Sequence, residues 1–87
     1  MAERIPAEVF PPGEFLADEL KERGWTQIEF SEIIRRPTKT VNEIIAGKKS
    51  ITPETALELA AALSTSPQYW LNLESAYQLW KTAPRLP

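Results

Sequence analysis

The chain contains neither cysteine nor histidine. Without cysteine there is no disulfide framework and no thiolate metal site. Without histidine the usual general base, the usual zinc ligand and the HExxH motif are gone. Ser31, Ser50, Ser64, Ser66 and Ser75 thus have no imidazole to activate them as nucleophiles. Glycine is scarce, three residues in all, and neither GxGxxG nor the phosphate-cradling GxxxxGKS/T occurs. Glu29 and Glu32, at i, i+3 on the polar side of a helical pattern, read as a solvated face rather than an acid/base pair. Together these absences predict a non-enzyme with no cofactor and no metal site. No apolar run approaches the ~18 residues of a membrane span. The opening MAERIPAEV lacks the apolar centre of a signal peptide, so the expectation is a cytoplasmic protein with no membrane partner.

What is present is enough for a small core. The chain has 87 residues, 43% of them hydrophobic, with three tryptophans. This length predicts one domain spanning residues 1–87, whose core is modest unless helices pack tightly or a second copy helps. The net charge is −2, mildly unfavourable for nucleic acid if charge were spread evenly.

It is not spread evenly. Between Arg35 and Lys49 stand Arg35, Arg36, Lys39, Lys48 and Lys49 against a single Glu43, a local charge of +4 that leaves −6 for the remainder. That basic stripe falls on residues 26–47 and the loop that follows. Thr26 suits an N-cap. Phe30 and Ile34 repeat at i, i+4, and Ser31 is small enough to let a second helix approach. Pro37 cannot continue a helix interior but is tolerated at a helix start. Beyond it Val41, Ile44 and Ile45 point inward, while the opposite face carries Lys39, Asn42, Glu43 and Ala46, flanked by Thr38 and Thr40. Gly47 ends the second helix. Helix, tight turn, helix with a polar outer face is the layout of a helix-turn-helix, whose second helix enters the DNA major groove. A plain helical hairpin within a bundle has the same outline, and the basic stripe favours the DNA reading.

The rest of the chain supplies three more helices. Residues 1–11, with Pro6 and Pro11, predict an irregular arm whose Val9 and Phe10 can pack back on the body. A helix over about Gly13 to Arg23 buries Phe15, Leu16 and Leu20 and is closed by Gly24. Its acidic Glu14, Asp18 and Glu19 turn it away from DNA. Thr52 and Pro53 start a fourth helix that buries Ala56, Leu59, Ala60 and Leu63 and ends near Ser64. Ser66 and Pro67 start a fifth, which runs to about Lys81. Tyr69, Trp70, Leu73, Ala76, Tyr77 and Trp80 cover an arc of about 120° on it, with Leu79 on one flank and Leu71 outside. So wide an apolar arc on so small a body predicts that part seals the core and part a homodimer, with Tyr69, Leu73, Ala76, Tyr77 and Trp80 as the interface candidates. Residues 82–87, with Pro84 and Pro87, read as a frayed tail. The fold class expected is an all-α, five-helix bundle.

The segment from Trp25-Thr26-Gln27 through Gly47-Lys48-Lys49 to Ile51-Thr52 resembles the Cro/repressor (XRE) helix-turn-helix. Pro12-Gly13-Glu14-Phe15-Leu16, Ile51 through Leu57 and Ser66-Pro67-Gln68-Tyr69-Trp70-Leu71-Asn72-Leu73 are similar to HigA-type antitoxins, so the likeness runs from about Pro12 to Trp80. The resemblance implies a Cro/repressor-like domain that binds a duplex operator as a homodimer. It also implies the antitoxin of a type II toxin–antitoxin pair, neutralising a HigB-type ribonuclease and repressing its own operon. By family position Gln27 lies near the backbone or base edges. Thr38, Lys39 and Asn42 fall at base-contacting positions, Thr40, Lys48 and Lys49 at phosphate-contacting ones, and Glu43 faces the same groove. The chain departs from the family in the turn, where Arg35 and Arg36 replace the usual glycine and apolar residue; Arg35 near DNA is a candidate for a phosphate. The alternatives are a free-standing repressor, the head of a longer regulator with an ImmA/IrrE-type zinc peptidase domain, and a protein-interaction module working through its last helix.

Overall fold

Four of the five helices end in the same way, with one residue in the left-handed conformation and the next N–H folded back onto a carbonyl of the last turn. In the computed structural model, which describes residues 9–83, these residues are Gly24 (φ 70°), Arg35 (φ 60°), Gly47 (φ 79°) and Ser64 (φ 58°). Trp25, Arg36, Lys48 and Thr65 then donate to the carbonyls of Leu20, Ser31, Glu43 and Ala60 at 2.9, 3.0, 2.8 and 3.1 Å. This satisfies carbonyls a helix end leaves open. The element order is α1 Pro12–Arg23, α2 Gln27–Ile34, α3 Thr38–Ile45, α4 Pro53–Leu63 and α5 Pro67–Thr82. No strand occurs among the described residues. Parts of the expected arm (1–8) and tail (84–87) lie outside the described residues. α1 starts one residue earlier than its sequence predicts, because Pro12 takes the first helical position after an extended Pro11.

The remaining helix starts follow local chemistry. Thr26 and Glu29 form a capping box: Glu29 N–H donates to Thr26 Oγ1 (3.0 Å) and Thr26 N–H to Glu29 Oε1 (2.8 Å). Thr52 and Ser66 cap α4 and α5 with their hydroxyls, each ahead of a proline.

One core joins all five helices. It contains Leu16 and Leu20 from α1, Phe30 from α2, Val41 and Ile44 from α3, Leu59 and Leu63 from α4, Trp70 from α5, and Ile51 from the loop before α4. Burying each large side chain contributes about 1.5–3 kcal/mol relative to exposure. Trp70 is fully buried, and its indole N–H donates to Thr65 Oγ1 at 2.7 Å, so the one polar atom of the largest core residue is satisfied. At the same end of α4, Arg23 donates to the Leu63 carbonyl (3.0 Å), pairs with Glu19 and lies over the Trp25 ring.

The expected arc on α5 divides along its length. Trp70 is in the core, and Leu71 and Leu73 lean on it. Tyr69, Leu79 and Trp80 stay 38%, 68% and 40% exposed. Leu71, which periodicity alone places outside the apolar arc, is thus partly buried. Tyr77 and Trp80 stack on each other at 6.2 Å, with the Lys81 ammonium over the Tyr77 ring.

Candidate nucleic-acid interface

α3 is held from three sides, and this determines what its outer face can do. Underneath, Val41 and Ile44 are buried and Ile45 packs partly on the core. On the α2 side, Ser31 Oγ donates to the Ile28 carbonyl (2.6 Å) and shares a hydrogen bond with Thr38 Oγ1 (3.1 Å). Ser31 is thus more than a small residue: its hydroxyl ties the first residue of α3 to α2. On the α1 side, Gly13 is buried with its backbone pressed against the last turn of α3. A Cβ there would lie 2.1 Å from the Ile44 carbonyl oxygen and 2.7 Å from Ile45 Cα.

The turn between α2 and α3 contains the two arginines. Arg35 takes a left-handed conformation that glycine adopts without strain, at a cost of about 1–2 kcal/mol for the Cβ. Arg36 turns away from the outer face. Its Nε donates to Glu58 Oε1 (2.9 Å) and Oε2 (3.0 Å), and its Nη2 reaches Glu58 Oε2 at 2.5 Å and Glu54 Oε2 at 2.9 Å. Hydrogen bonds to Glu58 and then Glu54 raise its already high pKa further. Arg36 therefore clamps the turn onto α4. Its charge, counted in the basic stripe from sequence, is matched inside the fold.

Among the described residues the other cations of the stripe are in no ion pair. Among the described residues the ion pairs are Arg23–Glu19, Arg36–Glu54 and Arg36–Glu58. Lys39 and Asn42 are exposed on α3, Glu43 is half-buried beside them, and Lys48 and Lys49 are exposed in the loop that follows. The Glu43 carbonyl accepts from both Lys48 N–H (2.8 Å) and Lys49 N–H (3.2 Å), folding the loop back under the end of α3. Thr40 is half-buried in the cleft between α3 and α4, which Arg36, Lys49, Thr55 and Glu58 also line. Gln27 is half-buried at the first position of α2, beside Trp25 and Ile45. Thr38 is the member of the candidate set whose hydroxyl is already engaged, with Ser31.

Three residues that position this surface escape a reading of the sequence: Gly13, Arg36 as a clamp, and Glu74, whose Oε1 accepts from Ile51 N–H across the loop (2.9 Å). Gly13 leaves a readable trace. A glycine at the second position of a helix that already starts with proline costs backbone entropy and closes no turn, which points to close packing.

Among the described residues no cluster of acidic, histidine or cysteine side chains could hold a metal ion, and no helix is long and apolar enough to cross a membrane. A short helix held by its inner face, with exposed Lys39 and Asn42 outward and two lysines just beyond, has the layout of the second helix of a helix-turn-helix. A helix-turn-helix family profile matches residues 16–70. The chain is 38% identical over 74 residues to antitoxin HigA-1 of Vibrio cholerae, covering 84% of this chain and 70% of that protein. Its fold matches an addiction-module antidote protein of the HigA family from Coxiella burnetii with TM-score 0.80 and 36% identity over 90% of each chain. It matches the Pseudomonas aeruginosa antitoxin HigA, solved with the higBA promoter, with TM-score 0.81 and 32% identity over 85% and 82% of the two chains. The chain belongs to the HigA-type antitoxins of the Cro/repressor helix-turn-helix family.

Proposed function

We propose that this protein is a single-domain operator-binding repressor and the antitoxin of a type II pair, acting in the cytoplasm without catalysis. The observation that carries the DNA reading is the outward face of α3, where Lys39 and Asn42 stand exposed on a helix anchored by Val41 and Ile44. In this reading Lys39 and Asn42 meet base edges, with Thr38 limited to the methyl and backbone its bond to Ser31 leaves free. Glu43 faces the same groove, where it accepts from a cytosine amino group or penalises wrong sites. Gln27, Thr40, Lys48 and Lys49 serve the backbone of the duplex. The likeness to a HigA solved with its promoter supports this assignment.

The protein acts as a homodimer through the outer part of α5. Tyr69, Ala76 and Trp80 are exposed there, Tyr77 is half-buried, and Leu73 leans inward on the core. Two-fold symmetry then sets the two α3 helices about 34 Å apart, one turn of duplex. The partner neutralised is a HigB-like ribonuclease, a role resting on the family likeness. The test is to co-express the chain with the toxin encoded beside it and to titrate it on the upstream duplex. Growth rescue, a stable complex and a dimer-sized shift are expected. Arrest that persists despite good expression would leave a free-standing repressor. Loss of all salt-dependent duplex binding would leave a protein-interaction module.

A further inference from the structure

The loop Gly47–Ser50 hangs between two anchors. At its start the Glu43 carbonyl holds the Lys48 and Lys49 amides. At its end the Ile51 side chain is buried at 4% exposure, and the Ile51 N–H donates to Glu74 Oε1 from α5. Glu74 is itself oriented: its other oxygen accepts from Gln78 Nε2 at 2.6 Å, one turn further along α5. Lys49, Ser50 and Ile51 face Glu74, Tyr77 and Gln78 across a cleft of about 20 Å³. That volume admits a water molecule and nothing larger. The exposed residues of the loop have no side-chain hydrogen bond among those the structure records, so the far end of the loop is held by the buried Ile51 side chain and by this one carboxylate.

The geometry points to Glu74 as a positioning residue for DNA binding: by fixing the Ile51 N–H it presents Lys48 and Lys49 to the phosphates. This rests on the reading of those lysines as phosphate contacts. It makes an opposite prediction from simple electrostatics. A carboxylate near a polyanion repels it, so its removal by charge alone tightens binding. Removal of a loop anchor weakens it, because a loop free to wander no longer holds two ammonium groups at phosphate spacing. Buried N–H groups are rarely left unpaired, so without Glu74 the Ile51 amide must pair with water, and a water, unlike the carboxylate, does not tie the loop to α5.

Three variants separate the two effects. Glu74→Gln removes the charge and keeps an acceptor oxygen, with Gln78 free to flip its amide to match. Glu74→Asp keeps the charge but is one methylene too short to reach Ile51. Glu74→Ala loses both. Affinity for operator and scrambled duplex is measured over a range of salt, beside a Lys48→Ala/Lys49→Ala double variant. Hydrogen exchange at the Ile51 amide is followed in the free protein. Glu74→Gln is expected to bind as the parent or slightly better, with Ile51 still protected. Glu74→Asp and Glu74→Ala are expected to lose Ile51 protection and bind both duplexes several-fold more weakly. Their salt slope should flatten by about 0.9 for each phosphate the loop no longer reaches. If Glu74→Ala does not fold, the Asp variant alone decides. Asp and Ala variants that bind as tightly as the parent with an unchanged slope, while the lysine variant flattens it, overturn the role of Glu74. A lysine double variant with an unchanged slope overturns the phosphate reading, and the inference with it.

Discussion

The backbone of Gly13 lies against the backbone of Ile44, with no room for even a methyl group between them: a Cβ would stand 2.1 Å from the Ile44 carbonyl oxygen. Both partners are main chain, so neither can swing aside. α1 thereby limits how closely α3 can approach through a main-chain contact, beside the side chains the two helices share in the core.

Gly13→Ala is accordingly expected to push the two helices apart. Overpacking of this kind costs about 1–3 kcal/mol, and a shift of 1 kcal/mol moves the melting temperature of a domain this size by about 4–8 °C. Operator affinity should fall further than stability alone dictates, because α3 is displaced. Thermal melts with operator titration check both. Unchanged melting would show that the contact relaxes freely.

Arg35 bears backbone strain. At φ 60° relief of about 1–2 kcal/mol set against about 0.5–1 kcal/mol of added backbone entropy leaves Arg35→Gly neutral to modestly stabilising, by up to about 1.5 kcal/mol. Urea denaturation measures it. A destabilised glycine variant would mean that the arginine side chain contributes more than its strain costs.

Arg36 predicts a different signature. Its partners are Glu58 and Glu54, so Arg36→Ala should lower the melting temperature more at low salt than at high salt, since exposed pairs are screened. The salt slope of duplex binding should stay as in the parent. A flattened slope would place Arg36 on a phosphate instead.

These two neighbours show where the sequence is legible. Thr26, Thr52 and Ser66 announce their helix starts, because capping is local chemistry between residues three apart, and Pro37 announces another because its ring cannot continue a helix. Phe30, Val41, Ile44, Leu59 and Leu63 follow from periodicity, because one face of a helix is buried and the other is not. Arg36–Glu58 and Ile51–Glu74 join residues 22 and 23 apart. No local pattern encodes such pairs; they exist only once α4 and α5 have packed. Sequence alone therefore counts Arg36 with the exposed cations. The division of α5 into core and outer parts is unreadable for the same reason: a wide apolar arc does not say which part a neighbouring helix covers.

Trp70 tests the core. It is fully buried, with Tyr69 edge-on at 5.1 Å. Trp70→Ala is expected to cost about 3–5 kcal/mol, a large share of the roughly 5–15 kcal/mol a small domain has. Trp70→Phe should cost less, and part of its loss should come from leaving Thr65 Oγ1 without the indole donor. Circular dichroism during urea titration distinguishes the two.

The last prediction concerns the reading face. Asn42 and Lys39 are exposed on the side of α3 opposite the buried Val41 and Ile44, and Asn42 has no side-chain hydrogen bond among those the structure records. An amide so placed can form the bidentate pair with adenine N6 and N7 that carries sequence information. Asn42→Ala is therefore expected to cost about 1–3 kcal/mol on the operator and to relax preference at one base position in each half-site. Binding to scrambled duplex should barely change, because non-specific affinity comes from phosphate contacts. The salt slope should also stay unchanged, since no cation is removed. Titration of parent and variant on operator, on single-base operator variants and on scrambled duplex decides the matter. An equal loss on operator and scrambled duplex would show that Asn42 does not read a base, and that the outward face of α3 meets DNA in another orientation or not at all.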